Sequence, residues 1–205
     1  VKKRGAIRPT SIEEATLRAV SMIQHKPARP SSAETAPPGP IMYRLRGGFN
    51  GGSDPFAPHP ASWSPPDGQG LSWSRYGAWT CDCSGMVCWA LGLDRYQPQG
   101  AVEWLSTDGM LQDANGPRER FVETDGPELG AVVVYGGLWN EGKRVRVGHV
   151  GLVTGLPPEW DPEVRDCWAR LSVTHCSASM SRAGAAIAET NGLTWWRRGR
   201  FLRRV

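Results

Sequence analysis

The sequence predicts an α+β domain, and three observations carry that expectation. The chain begins with the periodicity of an amphipathic helix and ends with a run of short apolar segments of strand character. At 205 residues and 40% hydrophobic content it has the length of one domain and enough apolar material for one core. A single catalytic or binding unit over residues 1–205 is therefore expected, with proline-rich loop stretches near 27–40 and 53–80.

The first element is a helix over residues 11–25, where Ile12, Ala15, Ala19, Met22 and Ile23 form an apolar stripe. Ser11 supplies its cap and Glu14, three residues on, completes a capping box; Pro27 ends it. The prolines crowd into residues 27–70, so the loop-rich part of the chain is local. Within it, Gly47, Gly48, Gly51 and Gly52 follow Tyr43 and permit tight turns. The stretch 53–80 also carries Trp63, Trp73 and Trp79, and reads either as a wall of a substrate groove or as a surface excursion packed on its own tryptophans.

Residues 83–92 (CSGMVCWALG) have the small, apolar character of a buried helix, with Gly92 as terminator. Val132–Tyr135 and Val145–Thr154 read as an antiparallel hairpin joined through Gly136, Gly137 and Gly142. Leu171–His175, Ala185–Glu189 and Phe201–Val205 supply three further strands.

The net charge is +4, and much of the excess lies near the end, in Arg197, Arg198, Arg200, Arg203 and Arg204. The favoured reading is a solvated edge strand whose charges block aggregation; a surface for nucleic acid, acidic lipid or an anionic wall polymer is the alternative. No run of 18 apolar residues exists, so no transmembrane segment is expected, and Glu13 and Glu14 follow the basic start too closely for a signal peptide. Five cysteines leave at least one thiol free if the others pair. Their spacing lacks the close pairs of a structural zinc site, and a Cys167–Cys176 disulfide stays open because pairing depends on geometry. The ten tryptophans read as core and groove lining before they read as a sugar-stacking surface.

Asp82-Cys83-Ser84-Gly85 stands where a loop enters the apolar helix. A thiol there faces unpaired backbone N–H groups and the positive end of the helix dipole, which favours the thiolate a nucleophile needs. Cys88 and Cys81 read as core residues. His149 lies in Val147-Gly148-His149-Val150-Gly151, a strand whose apolar neighbours hold the imidazole in place, as a general base requires. In a strand from Leu171 to Cys176, Ser172, Thr174 and Cys176 face one side while Leu171, Val173 and His175 face the other.

These motifs resemble the NlpC-type peptidoglycan endopeptidases, papain-like cysteine peptidases with an Asp-Cys-Ser-Gly nucleophile, a Gly-His-Val-Gly strand and a third polar residue on the next strand. The matching positions are Asp82 to Gly85, Gly148 to Gly151 and Val173 to Cys176. Tyr43 with Gly47 and Gly48 resembles the family's substrate-side tyrosine and glycine pair, and Phe201–Val205 its basic terminal strand. The chain departs from the pattern in residues 53–80 before the nucleophile, in the added segment 156–170, and in Leu129-Gly130-Ala131, where a Gly-Asp is usual.

The resemblance implies a papain-like fold, with N-terminal helices on an antiparallel sheet of about five strands. It implies catalysis by Cys83, His149 and His175, with Tyr43, Asp82 and Ser84 on the substrate side and neither metal nor organic cofactor. The implied substrate is the peptidoglycan stem peptide, cut between γ-D-glutamyl and the diamino acid or at a nearby amide, in the periplasm or at the cell wall. Nucleic acid is not an expected partner, and an immunity or inhibitor protein is. Two rivals remain: a thiol acyltransferase or transpeptidase on the same fold, and a non-catalytic wall-binding, phage or secretion component.

Overall fold

In a computed structural model, which describes residues 11–24, 42–43, 80–93, 105–116, 120–182 and 186–205, the first helix (α1) forms over Ile12–Gln24. The Ser11 hydroxyl accepts from the Glu14 N–H at 3.1 Å, and Ala15 and Ala19 are its buried stripe. Met42–Tyr43 (β1) pairs in parallel with Thr80–Cys81 (β2), which leads directly into the helix Cys83–Ala90 (α2). Gly92 ends α2 at φ 65°, with the Leu93 N–H returning to the Cys88 carbonyl at 2.8 Å. The expected insertions at 27–40 and 53–79 lie outside the described residues.

After α2 come a helix, Thr107–Asn115 (α3), and the strands Phe121–Thr124 (β3) and Val132–Tyr135 (β4). Then follow Leu138–Asn140 (β5), Lys143–Arg146 (β6) and His149–Gly155 (β7). Arg165–Arg170 (α4), Ser172–Cys176 (β8), Ala178–Arg182 (α5), Ile187–Asn191 (β9), a 3-10 turn over Gly192–Thr194 and Arg200–Arg204 (β10) complete the chain. The main sheet has six strands in the order β3-β10-β4-β7-β8-β9, every neighbour antiparallel.

Alternation along these strands divides the core into two. Val132, Val134, Val150, Leu152, Cys176 and Leu202 point to one face and pack with α1, α2 and α3. Val133, Tyr135, Val153, Val173 and Phe201 point to the other, where Trp168 and Trp195 cover them. The alternation expected of Leu171–Cys176 is seen here, Val173 on the tryptophan face and Cys176 on the helix face.

Several elements differ from the sequence expectation. The single strand expected over Val145–Thr154 is broken at Val147–Gly148, and its first part turns back on β5 as a separate two-stranded arm. Glu141 and Gly142, at φ 49° and 74°, form the arm's turn, a conformation hairpins of this length favour. The break is enforced at Gly148, where a Cβ would meet the Thr107 hydroxyl and the Tyr135 carbonyl. The inserted segment 156–170 is not all loop: it contains α4, whose Trp168 is buried and donates from Nε1 to the Pro162 carbonyl at 2.9 Å.

The basic end of the chain is also not an edge. β10 lies inside the sheet between β3 and β4, with Phe201 and Leu202 buried. Its arginines tie neighbouring segments together: Arg200 to Glu123, Arg203 to Glu128 at 3.8 Å, and Arg204 to the Leu91 carbonyl. The sequence also gave no sign of α3, which has only Met110 and Ala114 as buried side chains of any apolar size and contains Gly109. Its Ser106 cap and Asp113, which accepts from the Arg120 and Phe121 N–H groups at 3.0 and 2.9 Å, hold it to β3.

Candidate functional site

Cys83 is the first residue of α2 and is 6% exposed. The buried Asp82 caps that helix, its Oδ1 accepting from the Gly85 N–H at 2.8 Å and from the Ser84 hydroxyl at 3.2 Å. Asp82 and Ser84, expected on the substrate side, are thus both buried and bonded to each other within the cap. They fix the start of the helix and with it the position of the thiol. Tyr43 is the register partner of Cys81, so β1 brings its backbone alongside the segment that leads to Cys83.

The two histidines meet on the tryptophan face. His149 opens β7 and His175 lies on β8, where it pairs in register with Gly151, so the imidazoles are diagonal neighbours. His149 Nε2 and His175 Nδ1 are 2.7 Å apart, and His175 Nε2 is 2.9 Å from the Thr190 hydroxyl on β9. That hydroxyl also lies 3.3 Å from the Asn191 carbonyl, to which it can donate. With the hydroxyl so engaged, the tautomer set that satisfies every contact has Thr190 accepting from His175 Nε2–H, His175 Nδ1 accepting from His149 Nε2–H, and His149 Nδ1 as a proton acceptor.

Glycine makes this approach feasible. A Cβ at Gly151 would stand 2.5 Å from Val173 Cγ1 and 3.1 Å from His175 Cβ, so a side chain there would push β8 and its histidine away. Trp195, fully buried, stacks on His149 with ring centroids 5.4 Å apart and meets His175 edge-on at 5.1 Å. Trp195 therefore covers one side of the pair, with His175 buried and His149 half-buried.

That enclosure sets the protonation states. Burial, reinforced by the Arg198 guanidinium, pushes His149 down from 6.5 to about 4. Burial and the neighbouring His149 push His175 down to about 3. Both rings are neutral at pH 7, the state in which His149 accepts a proton.

Tyr135 links this face to the thiol. It is the register partner of His149, with ring centroids 6.2 Å apart. Burial pushes its hydroxyl up, Arg198 and Arg146 pull it back, and the charge of a Cys83 thiolate adds to the rise, so sulfur and phenol lie within electrostatic reach. Helix α2 packs directly on β7 and β8, the strands that carry the histidines.

Cys83, Cys88, Cys167 and Cys176 form no disulfide among the described residues, so Cys167 and Cys176 are not bridged. Among the described residues no group of three His, Cys, Asp or Glu side chains is placed to hold a metal ion, and no helix is long and apolar enough to cross a membrane. Thr190, Trp195, Tyr135 and Arg198 were not identified from the sequence. Thr190 falls one residue past the expected strand Ala185–Glu189, and the period of two from Ala188 is the signal that puts it on the histidine face. No family model matches this chain, and neither does any curated protein or solved structure.

Proposed function

We propose that this protein is a cysteine peptidase that hydrolyses an amide bond in the stem peptide of peptidoglycan, the γ-D-glutamyl to diamino acid bond being the favoured one. The observation that carries the reading is the ordered chain His149–His175–Thr190–Asn191, which leaves a neutral, rigidly held Nδ1 on a strand packed against a helix that begins at a cysteine. A general base requires one ring nitrogen held towards the nucleophile while the other is engaged, and this arrangement supplies it.

In this mechanism His149 Nδ1 takes the proton from Cys83 Sγ, and the thiolate attacks the carbonyl carbon. The C–N bond breaks, the proton passes from His149 to the departing amine, and a thioester to Cys83 remains. Water then attacks the thioester, giving a proton to His149, and the carboxylic acid leaves as the thiol is restored. His175 acts as the positioning residue for His149, and Thr190 for His175. The backbone N–H of Cys83, at the start of α2, is the natural donor to the oxyanion. Tyr43, beside Cys81, is the substrate-side residue closest in register to the nucleophile, and the buried cap formed by Asp82 and Ser84 fixes the helix start that carries Cys83.

The resemblance of Asp82 to Gly85, Gly148 to Gly151 and Val173 to Cys176 to the NlpC-type family supplies the substrate class, and with it the periplasm or cell wall as the place of action. Digestion of purified peptidoglycan, followed by mass analysis of the fragments, tests the reading directly. Wild-type protein should release fragments that share one new amine and one new carboxylate terminus, and Cys83→Ala should release none. Equal digestion by both would end the proposal.

A further inference from the structure

Next to the histidine pair, the tryptophan face carries two arginines whose charge is met by no carboxylate among the described residues. Arg146 ends β6 and Arg198 follows the turn after Trp195, yet both guanidiniums are held over the ring of Tyr135, at 5.3 and 4.1 Å from its centroid. Both residues are exposed. Among the described residues neither has a carboxylate partner, whereas Arg144, Arg170, Arg200 and Arg203 each have one. Two cations brought to one ring repel each other, and an anion placed between them relieves the repulsion.

Arg198 is also fixed in place before any ligand arrives. Its Nε and Nη2 both donate to the Thr194 carbonyl, at 3.1 and 2.8 Å. The turn that presents it holds Arg197 at φ 65°, a left-handed conformation that is costly for a residue with a side chain, and packs Gly199 where a Cβ would come within 2.7 Å of Trp195 Cβ. Strain at a surface turn persists where the surroundings impose it, and it gathers at ligand clamps. The same Trp195 stacks on His149.

We propose that Arg146 and Arg198 form a carboxylate-recognition site beside His149, which selects peptides bearing a free carboxylate next to the bond that is cut. The proposal rests on the peptidase reading above. Tyr135 fixes the distance, since it lies in register with His149 and under both guanidiniums. The planar fork of donors suits a carboxylate, and a bidentate pair adds orientation to attraction. A stem peptide whose carboxylate is amidated would leave both arginines unpaired and would bind as a poorer substrate.

The test uses full-length Cys83→Ala protein, in which binding is read without turnover. A synthetic stem tetrapeptide with free carboxylates and the same peptide with its carboxylates amidated are titrated calorimetrically at constant ionic strength. The free acid should bind about 10-fold tighter or more, as two charge-assisted contacts imply. Adding Arg146→Gln and Arg198→Gln should bring that ratio to about 1, while Arg198→Lys, which keeps the charge and loses the fork, should leave an intermediate ratio. Circular dichroism checks that each variant is folded, and Arg198→Gln alone serves if the double variant is not. Equal binding of the two peptides by Cys83→Ala overturns the proposal, as does a preference that survives loss of the arginines or displacement of the peptide by inorganic phosphate. Wild-type turnover of the same peptides is read separately: a preference in binding without hydrolysis counts against the peptidase reading and leaves the carboxylate site standing.

Discussion

The two faces of the central sheet are built by the same strands and could hardly differ more. On the helix face, Val132, Val134, Val150 and Leu152 pack in one apolar cluster with Ala15, Ala19, Met86 and Val87. On the other, Tyr135, His149 and His175 lie among Trp195, Trp168 and Phe201, and the polar atoms are bonded in a fixed direction. Alternation lets one strand serve both: in β7, Val150 and Leu152 hold the helices while His149 and Gly151, the alternate positions, stand on the opposite side. On the proposed function, the contrast divides stability from chemistry by side-chain parity, with Cys83, the proposed nucleophile, supplied from the helix layer. If so, substitutions on the two faces should separate cleanly into those that change rate and those that change stability.

The largest effect on rate is expected at Cys83. Cys83→Ala removes the nucleophile and should abolish peptidoglycan hydrolysis, while thermal unfolding stays within a few degrees of wild type because only one small buried sulfur is lost. Next comes His175. His175→Ala leaves His149 without its acceptor, and turnover should fall on the order of 10² to 10³-fold; His175→Asn, able to make one of the two bonds, should lose less. Turnover should therefore fall in the order wild type, His175→Asn, His175→Ala, Cys83→Ala. Wild-type rates in both His175 variants would mean that another residue orients the base.

The opposite face should behave in the opposite way. Leu152 is fully buried beneath the helices, so Leu152→Ala should cost about 2–5 kcal/mol of stability in chemical denaturation. Turnover per folded molecule should stay near wild type. A large loss of turnover in protein shown to be folded would break the division between faces, since no bond of the histidine chain involves Leu152.

How much of this division was legible beforehand depends on which signal each element carries. Cys83 and both histidines stood out because each sits in a short motif, and α1, α2 and β4 because their apolar spacing is regular. The arm β5–β6 was absorbed into a longer strand because Val145 and Val147 continue the apolar run, although both are exposed. β10 was taken for an edge because five arginines lie between 197 and 204; the carboxylates of Glu123 and Glu128 that meet two of them are some 75 residues earlier in the chain, and no local rule connects them. Thr190 and Trp195 were missed for the same reason: a threonine in a strand and one tryptophan among ten acquire a role only when β8, β9 and the following turn come together.

Acid should expose the cost of the histidine face. In the folded protein His149 titrates at about 4 and His175 at about 3, both below the 6.5 of an unfolded histidine. Between those values the unfolded chain binds more protons than the native one, so stability is lost as pH falls from about 6.5 towards 4. His175→Asn removes one of the two groups, and the fall of its denaturation midpoint over that range should be shallower than that of the wild type. Parallel curves would place the histidines in contact with solvent.

The smallest effect is expected at the far end of the hydrogen-bonded chain, and it tests the direction of the chain itself. Thr190 accepts from His175 Nε2–H and passes its own proton to the Asn191 carbonyl. Thr190→Val keeps the shape of the side chain and removes the acceptor, leaving His175 Nε2–H buried without its partner. Such a loss typically costs 1–3 kcal/mol unless the ring changes tautomer to avoid it. If His175 moves its proton to Nδ1, it can no longer accept from His149 Nε2–H, and His149 must rotate or change tautomer in turn. Turnover should then fall roughly 10-fold, less than for His175→Ala, because both imidazoles remain. Thr190→Ser, which restores the hydroxyl, should recover most of it. The NMR signature is specific: wild-type protein should show both histidines protonated on Nε2 at pH 7, and Thr190→Val should shift the His175 proton towards Nδ1. An unchanged tautomer with unchanged turnover would show that the order of the chain is set elsewhere, and Thr190 would then be a packing residue of β9 and nothing more.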